Sequence, residues 1–295
     1  MTVDHLSASY EECKRLNKLH GKTYYLATLL LPKEKQKYVH ALYGFARYAD
    51  EIVDDLASTL TDEEKAEHLQ RWGQSVIADL RRGESNDLIG AALIDTVNTF
   101  NIPIHYFESF LESMTMDLTV TRYETFDDLQ KYVYGSAVVI GLEMLPILGY
   151  SDERAIESAS ALGTAFQLAN FIRDFGEDLE RGRIYLPMQE LAAYGVTEEM
   201  VLAKQLTPEI KAALAFQIDR VRALQSVADS GVHYLNPVSQ PCIEAASTLY
   251  CGIVDEVEKI DYDVFHHRAK TSTWRRLRTA IPAFIRTLYA KFVLQ

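Results

Sequence analysis

Acidic side chains recur at helical spacing in two distant segments of the chain. Asp50 and Asp54 are four residues apart in the first segment. The second segment repeats this spacing with Asn170, Asp174 and Asp178. At a rise of about 1.5 Å per residue, residues four apart lie on one helix face, roughly one turn from each other. Like charges on one face repel each other unless a cation lies there. The pattern therefore predicts two facing helices that share a bound cation.

The types of the ligand atoms indicate which cation this would be. Both segments offer oxygen atoms, and hard oxygen ligands favour Mg²⁺ bound by one or two carboxylates together with substrate phosphates. Mn²⁺ is the alternative ion. A solvated acidic face is the competing interpretation, because it explains most acidic runs on helices. The apolar surroundings, with Arg47 before the first pair and Arg173 directly before Asp174, favour a site for a metal ion and a diphosphate.

Composition limits the class of protein. The chain has 295 residues, of which 48% are hydrophobic, so it can bury a sizeable core. Its net charge of −12 argues against nucleic acid as the main partner, since a phosphate backbone demands a basic surface. The three cysteines show no metal-ligand spacing and predict a reducing compartment. Without an apolar signal core or an uninterrupted apolar run of spanning length, we expect a cytoplasmic protein without a transmembrane helix.

Hydrophobic residues recur with the helical period along nearly the whole chain. We expect one all-α domain over residues 1–295, a helical bundle whose interior holds a long apolar ligand. Thr61 and Glu64 form a predicted capping box, and prolines at 103, 208 and 237 mark first turns. The longest non-helical interval is predicted at 182–206. The predicted helices cover residues 7–20, 33–57, 61–82, 87–100, 103–121, 126–149, 153–181, 207–231, 238–260 and 273–293.

The C-terminal segment is basic and amphipathic. No acidic residue follows Asp263, and basic residues alternate there with large apolar ones. The pattern predicts a helix that is broken near Pro282. We favour a helix that packs against the body of the protein and leaves its cations in solvent. The alternative is peripheral contact with anionic lipid head groups at the inner face of the membrane.

Several motifs together resemble the squalene/phytoene synthase family, and in particular bacterial phytoene synthases. The strongest is the segment from Gly163 to Pro187, GTAFQLANFIRDFGEDLERGRIYLP. Asp50 to Asp54, with Arg47 ahead of them, resembles the family's first aspartate-rich motif, and residues 134–141, YGSAVVIG, resemble a third block. The resemblance implies an all-α isoprenoid-synthase fold with a central cavity. It also implies that two prenyl diphosphates are joined head to head.

The resemblance assigns roles to individual residues. Tyr43 would stabilise a cation or guide a proton, although a packed core tyrosine is an equally weighted interpretation. The expected metal-binding and catalytic oxygen ligands are Asp50, Asp54, Asn170, Asp174 and Asp178. The expected substrate-binding residues are Tyr24, Arg47, Gln167, Arg183, Tyr250 and Arg268.

Three enzymatic reactions are compatible with these motifs. The leading hypothesis is condensation of two C20 geranylgeranyl diphosphates to phytoene through prephytoene diphosphate. No NADPH is expected, because this reaction ends in proton loss rather than hydride transfer and the chain has no dinucleotide-binding signature. The alternatives are a C15 squalene or dehydrosqualene synthase, and a relative that moves one prenyl group to an aromatic acceptor. A non-catalytic assembly factor is a fourth hypothesis, which the intact aspartate motifs disfavour.

Overall fold

Helices account for nearly all the regular structure of the computed structural model, which describes residues 3–54 and 60–293. Within these ranges there is no β-strand, only the isolated bridges Arg122–Ile184 and Tyr150–Leu235. The predicted all-α class is confirmed. A π-helix covers Tyr134–Val138, and two 3₁₀ turns cover Leu179–Arg181 and Val232–Tyr234. The sixteen α-helices of the described residues are α1 (Val3–His20), α2 (Lys22–Thr28), α3 (Lys33–Asp54), α4 (Asp62–Arg82), α5 (Leu88–Phe100), α6 (Ile104–Thr119), α7 (Phe126–Val133), α8 (Val139–Leu148), α9 (Arg154–Arg173), α10 (Phe175–Asp178), α11 (Met188–Ala193), α12 (Glu198–Leu202), α13 (Pro208–Ser230), α14 (Gln240–Cys251), α15 (Ile253–Lys259) and α16 (Thr273–Val293).

Two helices organise the packing of the others. The first, α9, is surrounded by α8, α13, α14 and the π-helix, and the second, α3, by α1, α4, α5 and α6. On α3, the spacing of three and four residues places Leu42, Phe45 and Val53 in the core. Burial of this stripe turns the opposite side of α3, which carries Arg47 and Asp50, toward the centre of the molecule.

Local sequence signals predicted several helix ends correctly. The Thr61 hydroxyl accepts from the Glu64 backbone N–H, and the Glu64 carboxylate accepts from the Thr61 N–H, which is the predicted capping box. Pro103 is the N-cap of α6, and Pro208 lies in the first turn of α13. These signals act over a few residues, so they can be recognised in the sequence without the tertiary structure.

Other boundaries differ from the prediction. The first helix begins at Val3, α2 was not predicted, and the interval 182–206 contains α11 and α12. The predicted helix 153–181 changes course at Asp174, whose φ of −94° and ψ of 9° lie outside the helical region. The predicted helix 238–260 is interrupted at Gly252, whose carbonyl accepts from Arg275 at 3.2 Å. The end predicted at residue 57 lies outside the described residues, and α3 is described to Asp54.

Two glycines allow close contact between helices near the centre. A Cβ on Gly135 would lie 2.1 Å from the Ser109 carbonyl oxygen, and one on Gly163 would lie 2.8 Å from the Ala137 carbonyl oxygen. A side chain at either position would therefore separate the π-helix from α6 or from α9. Close helix packing accounts for both glycines.

One helical stretch, Phe126–Leu148, is long and apolar enough to span a membrane by length and composition. The sequence did not predict it, because polar residues interrupt its apolar run. More than half of its most apolar window is buried inside the protein, and Ile140 and Met144 within it line the central cavity. The stretch therefore serves as a core element of the fold.

We predict that Glu143 lowers stability at neutral pH. Its carboxyl group is fully buried on α8 without a hydrogen-bond partner, and burial raises its pKa well above the ordinary value. The folded protein therefore keeps a proton that the unfolded chain releases above about pH 4.5, so stability falls as pH rises from there toward the folded-state pKa. Glu143→Met should raise the free energy of unfolding at pH 8 by about 1–3 kcal/mol in urea titrations.

The pH dependence separates this effect from simple repacking. Glu143→Met should also flatten the decline in unfolding free energy between pH 5 and pH 8. Glu157→Gln, at an exposed position on α9, is the control and should leave both quantities unchanged. An unaltered pH slope in the Glu143 variant would show that this carboxyl group is not the cause.

Candidate active site

A cavity of about 600 Å³ lies between α2, α3, α8, α9, α13 and α14. Charged side chains line it near the C-terminal ends of α3, α6 and α9, whereas aliphatic and small residues of α2, α8, α13 and α14 line the remainder. Along α9 the lining runs from Ala155 to Arg173, about 27 Å at the standard helical rise. The cavity thus suits a ligand with a charged head and a long apolar tail.

Most residues predicted for the site line this cavity, and two lie beside it. Tyr250 and Arg268 line a smaller adjoining pocket. Asp54 is the last described residue of α3, and its side chain lies outside the description. The nine predicted residues that line the main cavity are Tyr24, Tyr43, Arg47, Asp50, Gln167, Asn170, Asp174, Asp178 and Arg183.

The first acidic segment is held by an arginine one turn earlier on α3. Arg47 donates from Nη1 to the Asp50 carboxylate at 2.6 Å, and its Nε lies 3.9 Å from the Glu51 carboxylate. Tyr43, one further turn back, also lines the cavity, and burial raises its pKa. The helical spacing therefore places an aromatic ring, a guanidinium and a carboxylate in sequence along one cavity wall.

The second acidic segment continues past the end of α9. Although the backbone leaves the helical region at Asp174, the Asp178 N–H still donates to the Asp174 carbonyl at 2.8 Å. This bond keeps both side chains in the cavity. Asp174 accepts from Arg173 Nε at 2.8 Å and lies 3.2 Å from Arg268 Nη2. One turn before Asn170, Gln167 donates to the Ser136 hydroxyl at 3.4 Å.

Two features of the second segment fit a hard cation. The buried Asn170 side-chain oxygen has no hydrogen-bond partner. Burial and the neighbouring Asp174 charge raise the pKa of Asp178 to about 7. A cation would supply the unpartnered oxygen with a ligand and relieve the repulsion between the carboxylates. No group of three His, Cys, Asp or Glu side chains converges closely enough to hold a metal among the described residues, which leave out the Asp54 side chain.

Asp117 joins the site from α6, and the sequence interpretation missed it. Its two carboxylate oxygens accept from the hydroxyls of Tyr132 and Tyr185, each at 2.8 Å. Burial raises the pKa of both tyrosines. Arg183 donates to the Asp117 carbonyl at 2.6 Å, which brings the segment after α10 against α6. No acidic residue lies one helical turn from Asp117, so the spacing that marked the other carboxylates is missing here. The contacts of Asp117 are with residues far away in the sequence, which the sequence pattern does not show.

The adjoining pocket is basic. It has a volume of about 270 Å³ and is lined by Arg173, Arg268, Lys270 and Arg276. Tyr250 also lines it and stacks on Phe166, with ring centroids 4.6 Å apart. Arg173 lines both the basic pocket and the main cavity. The acidic end of the cavity is therefore bordered by guanidinium groups suited to bind the oxygens of a diphosphate.

Comparison with known proteins identifies the family. The family profile of squalene/phytoene synthase matches residues 17–275. The phytoene synthase of Arthrospira platensis is 35% identical and the alignment covers 92% of this chain and 91% of the relative. The 15-cis-phytoene synthase of Synechococcus elongatus is 36% identical, covering 95% and 94%. A ligand-bound dehydrosqualene synthase structure aligns with a TM-score of 0.86 and 26% identity, covering 98% of this chain and 99% of that chain. A carboxylate-lined cavity of this kind on a matching fold, with a family match over most of the sequence, means that the chain belongs to the squalene/phytoene synthase family of prenyltransferases.

Proposed function

We propose that the enzyme condenses two geranylgeranyl diphosphates head to head to phytoene, through prephytoene diphosphate. The observation that carries the proposal is one continuous cavity with a charged end and an apolar remainder, whose lining along α9 spans about 27 Å from end to end. The relatives named phytoene synthase support the C20 substrate. We do not expect NADPH to take part, because the proposed sequence ends in proton loss.

The charged end would bind the diphosphate groups. When bound, Mg²⁺, or Mn²⁺ in its place, neutralises the charge that develops on the leaving diphosphate. Arg47, Arg173 and Arg268 are paired with carboxylates in the structure and can turn their remaining donors toward diphosphate oxygens. Arg183 lines the same end of the cavity. The residues that would hold the metal are Asp50, Asp54, Asn170, Asp174 and Asp178.

The cavity walls would protect and guide the cationic intermediates. Loss of the first diphosphate leaves an allylic cation, which the C2–C3 double bond of the second substrate attacks, and proton loss then closes a cyclopropane ring. Tyr43, Phe166 and Phe171 line the cavity, and their aromatic rings would stabilise positive charge. Aliphatic neighbours exclude water that would quench the cation.

Two tyrosine hydroxyls and one carboxylate would accept the proton that the reaction releases. A second ionisation and rearrangement lead to a final cation that loses a proton to become phytoene. Tyr132 and Tyr185 line the cavity and donate hydrogen bonds to Asp117, so each oxygen can accept a proton while its own passes to the carboxylate. The Tyr185 oxygen also accepts from Arg183 Nη1 at 3.4 Å. We infer that these hydroxyls, supported by the Asp117 carboxylate, relay the departing proton.

Small residues at the far end of the cavity favour the longer substrate. Ser158, Ala228 and Gly231 line it where α9 and α13 approach each other. A Cβ on Gly231 would lie only 1.8 Å from the Ser158 hydroxyl oxygen, so larger residues there would shorten the cavity. This supports C20 over the C15 substrate of the alternative reaction.

Asp50 and Asp174, one from each carboxylate segment, test the proposed metal site. Asp50→Asn and Asp174→Asn should each lower kcat by at least about 100-fold, because each removes a charge that would help to hold the metal. Circular dichroism should show an unchanged helical content. Glu157→Gln is the matched control on α9 and should retain activity. Full turnover by either variant, or undiminished turnover in EDTA, would contradict the metal assignment.

Arg47 tests whether the geometry of the guanidinium matters. We expect Arg47→Lys to lower kcat/KM by roughly tenfold or more, because lysine keeps the charge but loses the planar fork that can bind Asp50 and a diphosphate together. Steady-state kinetics with the prenyl diphosphate would measure the change. Wild-type kinetics in the lysine variant would rule out a multidentate role for Arg47.

The product distinguishes the proposed reaction from its alternatives. Geranylgeranyl diphosphate with Mg²⁺ and no NADPH should yield a C40 hydrocarbon by mass spectrometry. Ser158→Phe should lower kcat/KM roughly tenfold or more for the C20 substrate and much less for the C15 substrate. Ile156→Phe, which points away from the cavity on the same helix, is the control. A preference of the wild type for C15 diphosphate, or prenyl transfer to an aromatic acceptor without C40 product, would overturn the proposal.

A further inference from the structure

The C-terminal helix α16 presents its large apolar side chains to the outside. Trp274 is 74% exposed, Ile285 59% and Ile281 55%. Isolated exposed apolar residues are common on soluble proteins, but a continuous set of them marks a binding surface. The outer face of α16 consists of six exposed residues, Trp274, Leu277, Ile281, Phe284, Ile285 and Leu288.

The side of α16 that packs against the body consists of small residues. Ala283, Thr287 and Ala290 are buried, and α16 packs mainly against α14. At about 100° per residue, these three positions lie opposite the outer face. The helix packs against the body, as the sequence predicted, but it does so through small residues and leaves its large apolar residues exposed. The break predicted near Pro282 is wrong, because α16 continues through Pro282 from Thr273 to Val293. Small residues allow a close contact with α14 and leave the large ones free.

The basic residues of α16 fall into two groups. Arg286 pairs with Glu244 on α14, and Arg275 donates to Asp255 at 2.7 Å and to Glu256 at 2.9 Å, so both hold the helix to the body. The second group consists of Arg276 and Arg278 on α16 and Lys270 just before it. All three are exposed and make no ion pair with any described residue. Only Arg278 lies beside the outer face, about 40° around the helix from Trp274. Lys270 and Arg276 line the basic pocket instead.

We propose that the outer face of α16 docks on an anionic lipid bilayer. Its apolar side chains would enter the boundary between head groups and acyl chains, while Arg278 contacts the anionic head groups. A second copy of this chain is the less suitable occupant, because a contact between two outer faces would bury Arg278 against a helix that has no carboxylate to pair with it. No acidic residue follows Asp263 on a chain of net charge −12, so α16 itself carries no carboxylate that would repel anionic lipid.

Helix α14 lies between the cavity and α16, so membrane docking at α16 would help product release if the proposed function holds. The cavity is lined by Cys242, Ile243 and Ala246 on one side of α14 and by Ala27 on α2, and the Cys242 thiol donates to the Ala27 carbonyl at 3.3 Å. The same helix packs against α16. A C40 hydrocarbon is nearly insoluble in water, since each CH₂ favours an apolar phase by about 0.8 kcal/mol. Membrane contact beside this wall would shorten its path into lipid.

Vesicle binding of the full chain, without substrate, tests the docking independently of the reaction. Wild-type protein should float with vesicles of phosphatidylcholine and phosphatidylglycerol, and added salt should weaken this binding. Arg278→Glu should lower the partition coefficient by about tenfold or more, as should the double variant Ile281→Ser/Ile285→Ser. Matched controls are Arg71→Glu on α4 and Leu202→Ser/Ile156→Ser, all at exposed positions, and they should bind as the wild type does.

A second measurement locates the contact. Vesicles carrying doxyl-labelled lipid should quench the fluorescence of Trp274, and Trp274→Phe should remove the quenchable part of the signal. Equal flotation of wild type and both α16 variants, or no quenching of Trp274, would overturn the proposal. If light scattering showed a dimer that Ile281→Ser/Ile285→Ser converts to a monomer, the outer face would bind a second copy and the lipid proposal would be overturned. Loss of flotation without any change in product chemistry would sustain the docking and leave the reaction assignment untouched.

Discussion

Carboxylates concentrated at one end of an apolar cavity are the constraint around which this structure is arranged. Asp50, Asp117, Asp174 and Asp178 all line that end, and the charge of Asp174 contributes to the raised pKa of Asp178. Buried like charges are costly unless opposite charges or hydrogen-bond donors accompany them. The surrounding arginines and tyrosine hydroxyls meet this requirement in the protein itself. The same donors can be transferred to a diphosphate when a cation takes over the carboxylates.

The helices that carry these groups are positioned by their apolar faces. On α3, burial of Phe45 and Val53 turns Arg47 and Asp50 toward the cavity. The long helix α9 performs two tasks, because its first half lines the apolar part and its last turn supplies Asn170 and Arg173 to the charged part. A single rigid element thus connects the head of a ligand to its tail. The distance between the two ends is determined by the number of helical turns.

On α16 the large apolar side chains face outward and the small ones face the body, the reverse of a usual surface helix. Small residues packed on α14, with ion pairs to Glu244 on α14 and Asp255 on α15, hold the helix in place without its large apolar side chains. Those side chains remain available at the surface. This arrangement connects a core cavity and an apolar exterior through one intervening helix, α14, and is consistent with a ligand and a product that prefer lipid to water.

The sequence by itself determined the all-α class, the capping box of Thr61 and Glu64, and the spacing of Asp50 and Asp174 with their neighbouring arginines. All of these depend on interactions within about one helical turn, which the order of residues states directly. Only the tertiary structure decided that Asp117 meets Tyr185, 68 residues away in the sequence, that Glu143 is buried without a partner, and that α16 turns its large residues outward. The helical period marks two faces on a helix like α16, but the choice between them depends on which neighbour offers the closer packing, and that neighbour is brought there by the fold.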